Sequence, residues 1–295
     1  VVALEAPTDT VHALDRYVQG HVSWHDDLLR AVGSWPWRTV ETREFLQALR
    51  EVARTQPGRF RVVGVDPQVP VRAATSLAHW AQSAQVRHRH DLRDVRAFAT
   101  LRVGTRVSRS RHRRMTDLLA RAQTGGALSE IEHQALADAL ALVDPARGGL
   151  TPAAATRDRI MAERVMAALD GSGSLVLLAH NGHVSKTGHA SGSVDSTGGH
   201  LARALGPRYW AAATIVGTGS FRARRALGPL PVPGSTVKLP DWAPPNALEH
   251  HLRGLIARHD GVAGVCVAAD QAVNHTRGQQ GDRLFTKNAG WLVNL

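Results

Sequence analysis

Two histidines three residues apart, His180 and His183, follow directly on an apolar run and are separated only by Asn181-Gly182. Two carboxylates end other short apolar runs: Glu5 closes Val2-Ala3-Leu4-Glu5, and Asp66 closes Gly64-Val65-Asp66. An imidazole titrates near neutrality, so a histidine beside a carboxylate is a proton-transfer pair. With Glu5 or Asp66 as a third ligand, the same histidines would form an incomplete metal site. A structural use is also open: one histidine satisfies backbone groups of its turn, and Glu5 caps the helix that follows at Thr8–Thr10. Spacing alone leaves all three open.

Positioning these residues requires strands that end together. The runs at 2–5, 60–65 and 175–179 read as strands, the last so uniformly apolar that it suits burial on both faces. Pro7-Thr8-Asp9 signals a helix start with Asp9 or Thr8 as cap. Helical patterns continue to about residue 17 and over 25–32, and the clearest runs over 39–54, where Phe45, Leu46, Leu49 and Val52 recur at helical spacing. Between 67 and 152 no strand pattern is convincing. Helices are expected at 75–85, 113–123 and 129–142, the last opened by a capping box, Ser129 with Glu132. Further elements are expected as a helix at 154–169, a Gly/Ser-rich loop at 187–199, a helix at 199–205 and a strand at 209–216. A Pro-rich connection at 228–245, a helix at 247–259 and a strand at 262–268 complete the reading. Strands alternating with helices at these lengths predict an α/β fold: a three-layer α/β/α core with a mainly parallel sheet. Residues 1–67 and 153–295 would form that core and 68–152 a helical insertion. In such sheets ligands bind beyond the carboxyl ends of the strands, where Glu5, Asp66, His180 and His183 fall.

The composition excludes several alternatives. With 295 residues and 43% hydrophobic content the chain has material for a real core, so global disorder is excluded. No uncharged apolar run is long enough to span a bilayer, so no membrane partner is expected. The single cysteine, Cys266, precludes an internal disulfide and a multi-cysteine metal site; it sits in an apolar run and suits a reducing, cytoplasmic setting. No G-x-S-x-G elbow occurs, which removes support for serine catalysis, and the short glycine motifs at 171–173 and 217–219 lack the rest of a dinucleotide fingerprint. His88-Arg89-His90-Asp91 lies among arginines that oppose a cation and reads as surface.

The net charge of +11 comes from arginine, with only three lysines. Ten arginines crowd residues 87–114, either a solvated helical face or a polyanion site. Aromatics at 5% are too sparse for base-stacking platforms, so nucleic acid is not the expected partner.

The strings Arg157-Asp158-Arg159-Ile160-Met161-Ala162-Glu163 and Leu177-Leu178-Ala179-His180-Asn181-Gly182-His183-Val184 resemble the paired R-D-x-x-M-A and A-H-N-x-H signature of the erythromycin esterase family. The strand ending at Glu5, the Trp37…Glu41…Arg50 helix, Gly64-Val65-Asp66 and the stretch from Gly199-His200-Leu201 to Tyr209 are similar to further parts of it. The resemblance implies an EreA/ChaN-like α/β fold with a helical insertion. It implies hydrolysis of a small-molecule ester without metal or cofactor, best known as opening of the macrolactone ring in antibiotic resistance. A histidine would act as general base on water, with Glu5 as acidic partner and His180 or His183 as the C-terminal histidine. Arg157 would bind or polarise the ester, while Asp158 and Glu163 would hold helix and loop in place; Asp66 at its strand end is a further substrate-binding candidate. Trp24, Trp35, Trp37 and Trp80 are candidate walls for a bulky macrolide, Trp24 first among them; each has helix packing as its alternative. The family's base histidine lies in a G-E-x-T-H-G-type motif before the glutamate strand, and this sequence contains none. The expectation is therefore of a chain whose natural start is missing. The alternatives are a catalytically incomplete relative or a basic protein that meets polyanions through residues 87–114.

Overall fold

The computed structural model describes residues 1–212 apart from 31, 33–36, 59, 84–88, 147–148, 170–172 and 187–194, and beyond 212 only six short strands. The chain divides into two compact units, Val1–Gly188 with Ser193–Tyr209, and His189–Gly192 with Trp210–Leu295.

The first unit is built on strand β1 (Val2–Pro7). Side chains alternate across a strand, and β1 uses both directions. Val2, Leu4 and Ala6 pack with Val11, Leu14 and Val18 of α1 (Thr8–Val18) and Leu46 and Leu49 of α3 (Val40–Thr55), whereas Ala3 packs with Met161 and Val165 of α8 (Leu150–Leu169) and Leu201 of α10 (Thr197–Leu205). Strands β2 (Val62–Asp66) and β3 (Val176–Leu178) flank β1 in the order β2-β1-β3, both parallel to it. Helices on both faces of a parallel sheet make the expected α/β/α core. One expectation fails in detail. Strand β3 is not buried on both faces, since Val176 is 58% exposed. Among the described strands its one neighbour is β1.

Residues 68–152 carry no described strand. Helices α4 (Val71–Ser83), α5 (Arg89–Phe98), α6 (Arg109–Thr124) and α7 (Glu130–Leu142) share one apolar cluster around Leu77, Phe98, Met115, Leu118 and Leu136, which Ile160 of α8 joins. The sequence pattern missed α5 and the first turn of α6 because arginines mask the period. Val95 and Phe98 nonetheless lie inside, and Asp94, buried between the helices, accepts from Arg111 Nε (2.7 Å) and Arg114 Nε (3.0 Å). Arginine is a good helix former, and these pairs offset the charge of Arg111 and Arg114. The Ser129–Glu132 capping box is present, and the Glu132 carboxylate also accepts the Ser76 hydroxyl at 2.5 Å.

The run 39–54 is α3, capped by the Thr39 hydroxyl, which accepts from Thr42 N at 3.1 Å. The run 25–32 reduces to α2 (Asp27–Arg30). Neither Thr8 nor Asp9 caps α1. Thr8 donates to Gly64 O (3.0 Å), and Asp9, in the first turn of α1, sends Oδ2 across to the Ala73 N–H near the start of α4 at 2.8 Å while Oδ1 accepts from Thr10 N at 2.9 Å. One buried carboxylate therefore ties two helix starts together. Burial raises its pKa against the opposing pull of these N–H groups. Replacing Asp9 by alanine strands two buried N–H groups and is expected to cost about 3 kcal/mol in urea denaturation. A cost below about 1 kcal/mol would remove this tie from the fold.

In the second unit, β4 (Ser220–Ala223) pairs antiparallel with β7 (Ser235–Lys238), β5 (Ala226–Leu227) with β6 (Leu230–Pro231) and β8 (Leu284–Phe285) with β9 (Leu292–Val293). The Pro-rich stretch read as a connection thus contains strands. Of the strand expected at 209–216, residues 209–212 are not strand and the rest lie outside the described residues. The helix expected at 247–259 and the strand at 262–268 with Cys266 also lie outside them.

Candidate active site

Glu5 shares its face of β1 with Ala3, so its side chain is directed toward α8. On β2, Gly64 lets two backbones meet, because a Cβ there would lie 2.6 Å from Pro7 O and 2.7 Å from Ala6 O. The register shifts at this point, and Asp66 comes opposite Pro7. Arg157 reaches both carboxylates from α8. Its Nη2 donates to Glu5 Oε1 (2.7 Å) and Asp66 Oδ2 (2.8 Å), its Nε to Asp66 Oδ1 (3.0 Å), and its Nη1 lies 2.8 Å from His183 Nε2. Asp66 and Arg157 thus form a bidentate fork. Burial works against the guanidinium charge, but the combined pull of Asp66 and Glu5 outweighs it and lifts the pKa of Arg157 above the ordinary arginine range. Four of its five N–H groups have acceptors among the described residues, leaving one Nη1–H.

The contacts also assign the histidine tautomers. A guanidinium only donates, so His183 Nε2 must accept from it, and the ring proton lies on Nδ1, 2.7 Å from Asp158 Oδ1. His183 is 6% exposed and held at both nitrogens. His180 is exposed and caps the short helix α9 (Asn181–Val184), its Nδ1 accepting from Gly182 N at 3.1 Å. In the neutral ring its proton is therefore on Nε2. Its backbone N–H donates to Glu5 Oε2 at 2.7 Å. Glu5 consequently takes one donor on each oxygen and caps no helix.

The start of α10 closes this cluster from behind. Thr197 N (2.7 Å) and Thr197 Oγ1 (2.8 Å) both donate to Asp158 Oδ1, the atom that meets His183. The Ser196 hydroxyl donates to Ser185 O (2.5 Å) and accepts from Gly199 N (3.0 Å). At Gly198 a Cβ would stand 2.3 Å from Val184 O, so only glycine lets α10 lie against α9. Tyr209 Oη donates to Val184 O at 2.7 Å, and burial pushes its pKa from 10.0 up to about 12. A phenol with a folded value above its unfolded one gives stability that is whole below pH 10 and is lost as pH rises through 12. Stability measured across that range is expected to fall in the wild type, with Tyr209→Phe lacking this component. Parallel curves would assign the loss elsewhere.

Glu5, Asp66, Arg157 and His183 are thus brought together, with His180 joined through its backbone. Trp24 lies elsewhere: it meets Tyr17 edge-on at 5.1 Å, stacks under Arg43 at 5.5 Å and is 3.4 Å from Asp26. Trp37 meets the site, its Nε1 donating to Glu5 O at 2.8 Å, and Trp35 lies outside the described residues. Thr197 was not foreseen, and nothing short of the fold marks it. Asp158 holds helix and loop as expected, whereas Glu163 pairs with Arg159 on the surface of α8. No group of three or more His, Cys, Asp or Glu among the described residues could hold a metal ion. Arg157 itself stands where a cation between Glu5 and Asp66 would. No helix among the described residues is long and apolar enough to cross a membrane.

The family model for erythromycin esterase matches residues 1–272. The chain belongs to the erythromycin esterase family. Among solved structures, a Bacillus cereus protein aligns with a TM-score of 0.59 at 20% identity, over 84% of this chain and 65% of that one. A succinoglycan biosynthesis protein gives 0.57 at 14% identity, over 81% and 62%. A mutant of the erythromycin esterase EreC in its open conformation gives 0.61 at 16% identity, over 99% and 79%. The chain spans just under two thirds of the length of the first two. At these identities the likeness carries the fold. No curated protein matches the chain.

Proposed function

We propose that this erythromycin esterase family member hydrolyses an ester of a bulky, cationic small molecule, with a macrolide lactone as the first candidate. The observation that carries this reading is the guanidinium of Arg157, fixed between Glu5, Asp66 and His183 at the strand ends with one N–H to spare. That N–H is suited to the carbonyl oxygen of an ester and to the oxyanion that follows. Glu5 retains acceptor capacity on both oxygens, so it can orient water and take its proton as the water oxygen bonds to the carbonyl carbon. When the carbon–alkoxy bond breaks, the proton passes from Glu5 to the leaving oxygen. Two carboxylates, Glu5 and Asp66, meet one guanidinium, a charge excess that favours an amino-sugar cation.

The test is incubation of the protein with an erythromycin-type macrolide, read by mass spectrometry as the gain of one water. Turnover that disappears in Glu5→Gln supports the reading. Turnover equal in wild type and Glu5→Gln would remove Glu5 as the base, and no turnover would end the macrolide assignment. A second reading rests on Arg93, Arg96, Arg102, Arg106, Arg109 and Arg113, all exposed and without an ion pair among the described residues. Its mark is polyanion binding that weakens steeply with salt.

A further inference from the structure

We infer that Asp158 and Thr197 are positioning residues that lock His183 in its Nδ1–H tautomer, so that this histidine aims Arg157 and does not serve as the water-activating base. The buried carboxylate of Asp158, 1% exposed, gathers three donors on one oxygen: Thr197 N, Thr197 Oγ1 and His183 Nδ1. An ionised carboxylate is acceptor-only, so the imidazole nitrogen facing it must carry the proton. The Thr197 donors hold the carboxylate oxygen in place, and the Gly198 contact with Val184 O holds Thr197 in place. The opposite nitrogen, Nε2, is then a lone pair, and a guanidinium that cannot give up a proton occupies it at 2.8 Å.

The consequence is directional. Were the ring in its Nε2–H form, two donors would face each other and Arg157 Nη1 would swing away. With the lock in place, one Nη1–H is spent on His183 and the geometry of the planar fork fixes where the other points. His183 and Asp158 are therefore placed to act on the substrate through Arg157. The kinetic part of this inference rests on the ester-hydrolase reading; the tautomer does not.

The tautomer is read directly from ¹⁵N spectra of histidine-labelled wild-type protein, assigned with His183→Gln. The expected result is a protonated Nδ1 and an unprotonated Nε2 for His183; a protonated Nε2 overturns the inference without recourse to any other variant. Asp158→Ala is expected to shift the ring toward the Nε2–H form and to lower kcat about 10²-fold with KM little changed. Asp158→Asn keeps an acceptor oxygen facing the Thr197 donors, so it should preserve the tautomer and recover most of the lost kcat. If Asp158→Ala does not fold, Thr197→Val, which removes one of the three donors, should give a smaller shift in the same direction. An unchanged kcat in a variant whose tautomer has shifted overturns the positioning role. Absence of hydrolysis in the wild type with the expected tautomer would strike the hydrolase reading and leave the lock intact.

Discussion

Replacing Arg157 by alanine is expected to lower the stability of the protein by about 3–5 kcal/mol and to abolish hydrolysis. The guanidinium is the only positive group that meets both Glu5 and Asp66 among the described residues, and it is nearly buried with them. Its removal leaves two carboxylates side by side without a counter-charge and takes the Nη1 donor from His183. Water entering the gap softens this cost but does not cancel it, because Asp66 is itself buried. Arg157→Lys should recover little. A single ammonium cannot form the fork to Asp66 while also reaching Glu5 and His183, so the variant restores charge without geometry. Urea denaturation of both variants beside the wild type gives the comparison. A loss under about 1 kcal/mol in Arg157→Ala would show the cluster to be solvated and its role in the fold minor.

Glu5→Gln addresses chemistry more than stability. The amide keeps an oxygen for Arg157, but its NH2 then confronts the His180 N–H that the second carboxylate oxygen accepts at 2.7 Å. The expected structural cost is of order 1–2 kcal/mol, that of one mismatched bond. The expected loss of turnover is far larger, about 10²–10⁴-fold, because an amide cannot take a proton from water. Glu5→Asp is the companion: it keeps the charge and withdraws it by one methylene, so turnover should fall less than in the amide. If the amide variant turned over within about threefold of wild type, the proton would have to go to a group other than Glu5.

Much of this site can be read from the linear sequence because its residues lie at punctuation points of a strand–helix alternation. Glu5 and Asp66 end apolar runs, His180 and His183 follow one, and Arg157-Asp158 sits at helical spacing from the apolar Met161 and Val165 that bury the same face of α8. What is not legible has a common cause: contacts made across the chain by residues whose local pattern suggests another partner. Asp9 has the position of a cap for α1 and serves α4. Thr197 belongs to a polar, glycine-containing stretch, and its partner Asp158 is 39 residues away. Among the tryptophans the sequence favours Trp24, yet it is Trp37 whose indole N–H bonds the Glu5 carbonyl. Helix α5 was hidden for a different reason. Arginine reads as polar surface in any periodicity argument, yet Asp94, buried between α5 and α6, lets the charge pack against a core.

The bond from the Ser196 hydroxyl to Ser185 O, with Gly198 pressed on the end of α9, has a meaning for how such a molecule can diverge. Ser196 and Ser185 are bonded directly, and a Cβ at position 198 would stand 2.3 Å from Val184 O, so the ends of α9 and α10 fit only as a pair. In evolutionary terms these positions are not free to drift singly: a change at Ser196 or Gly198 would have to be matched on α9 before the chemistry could survive it.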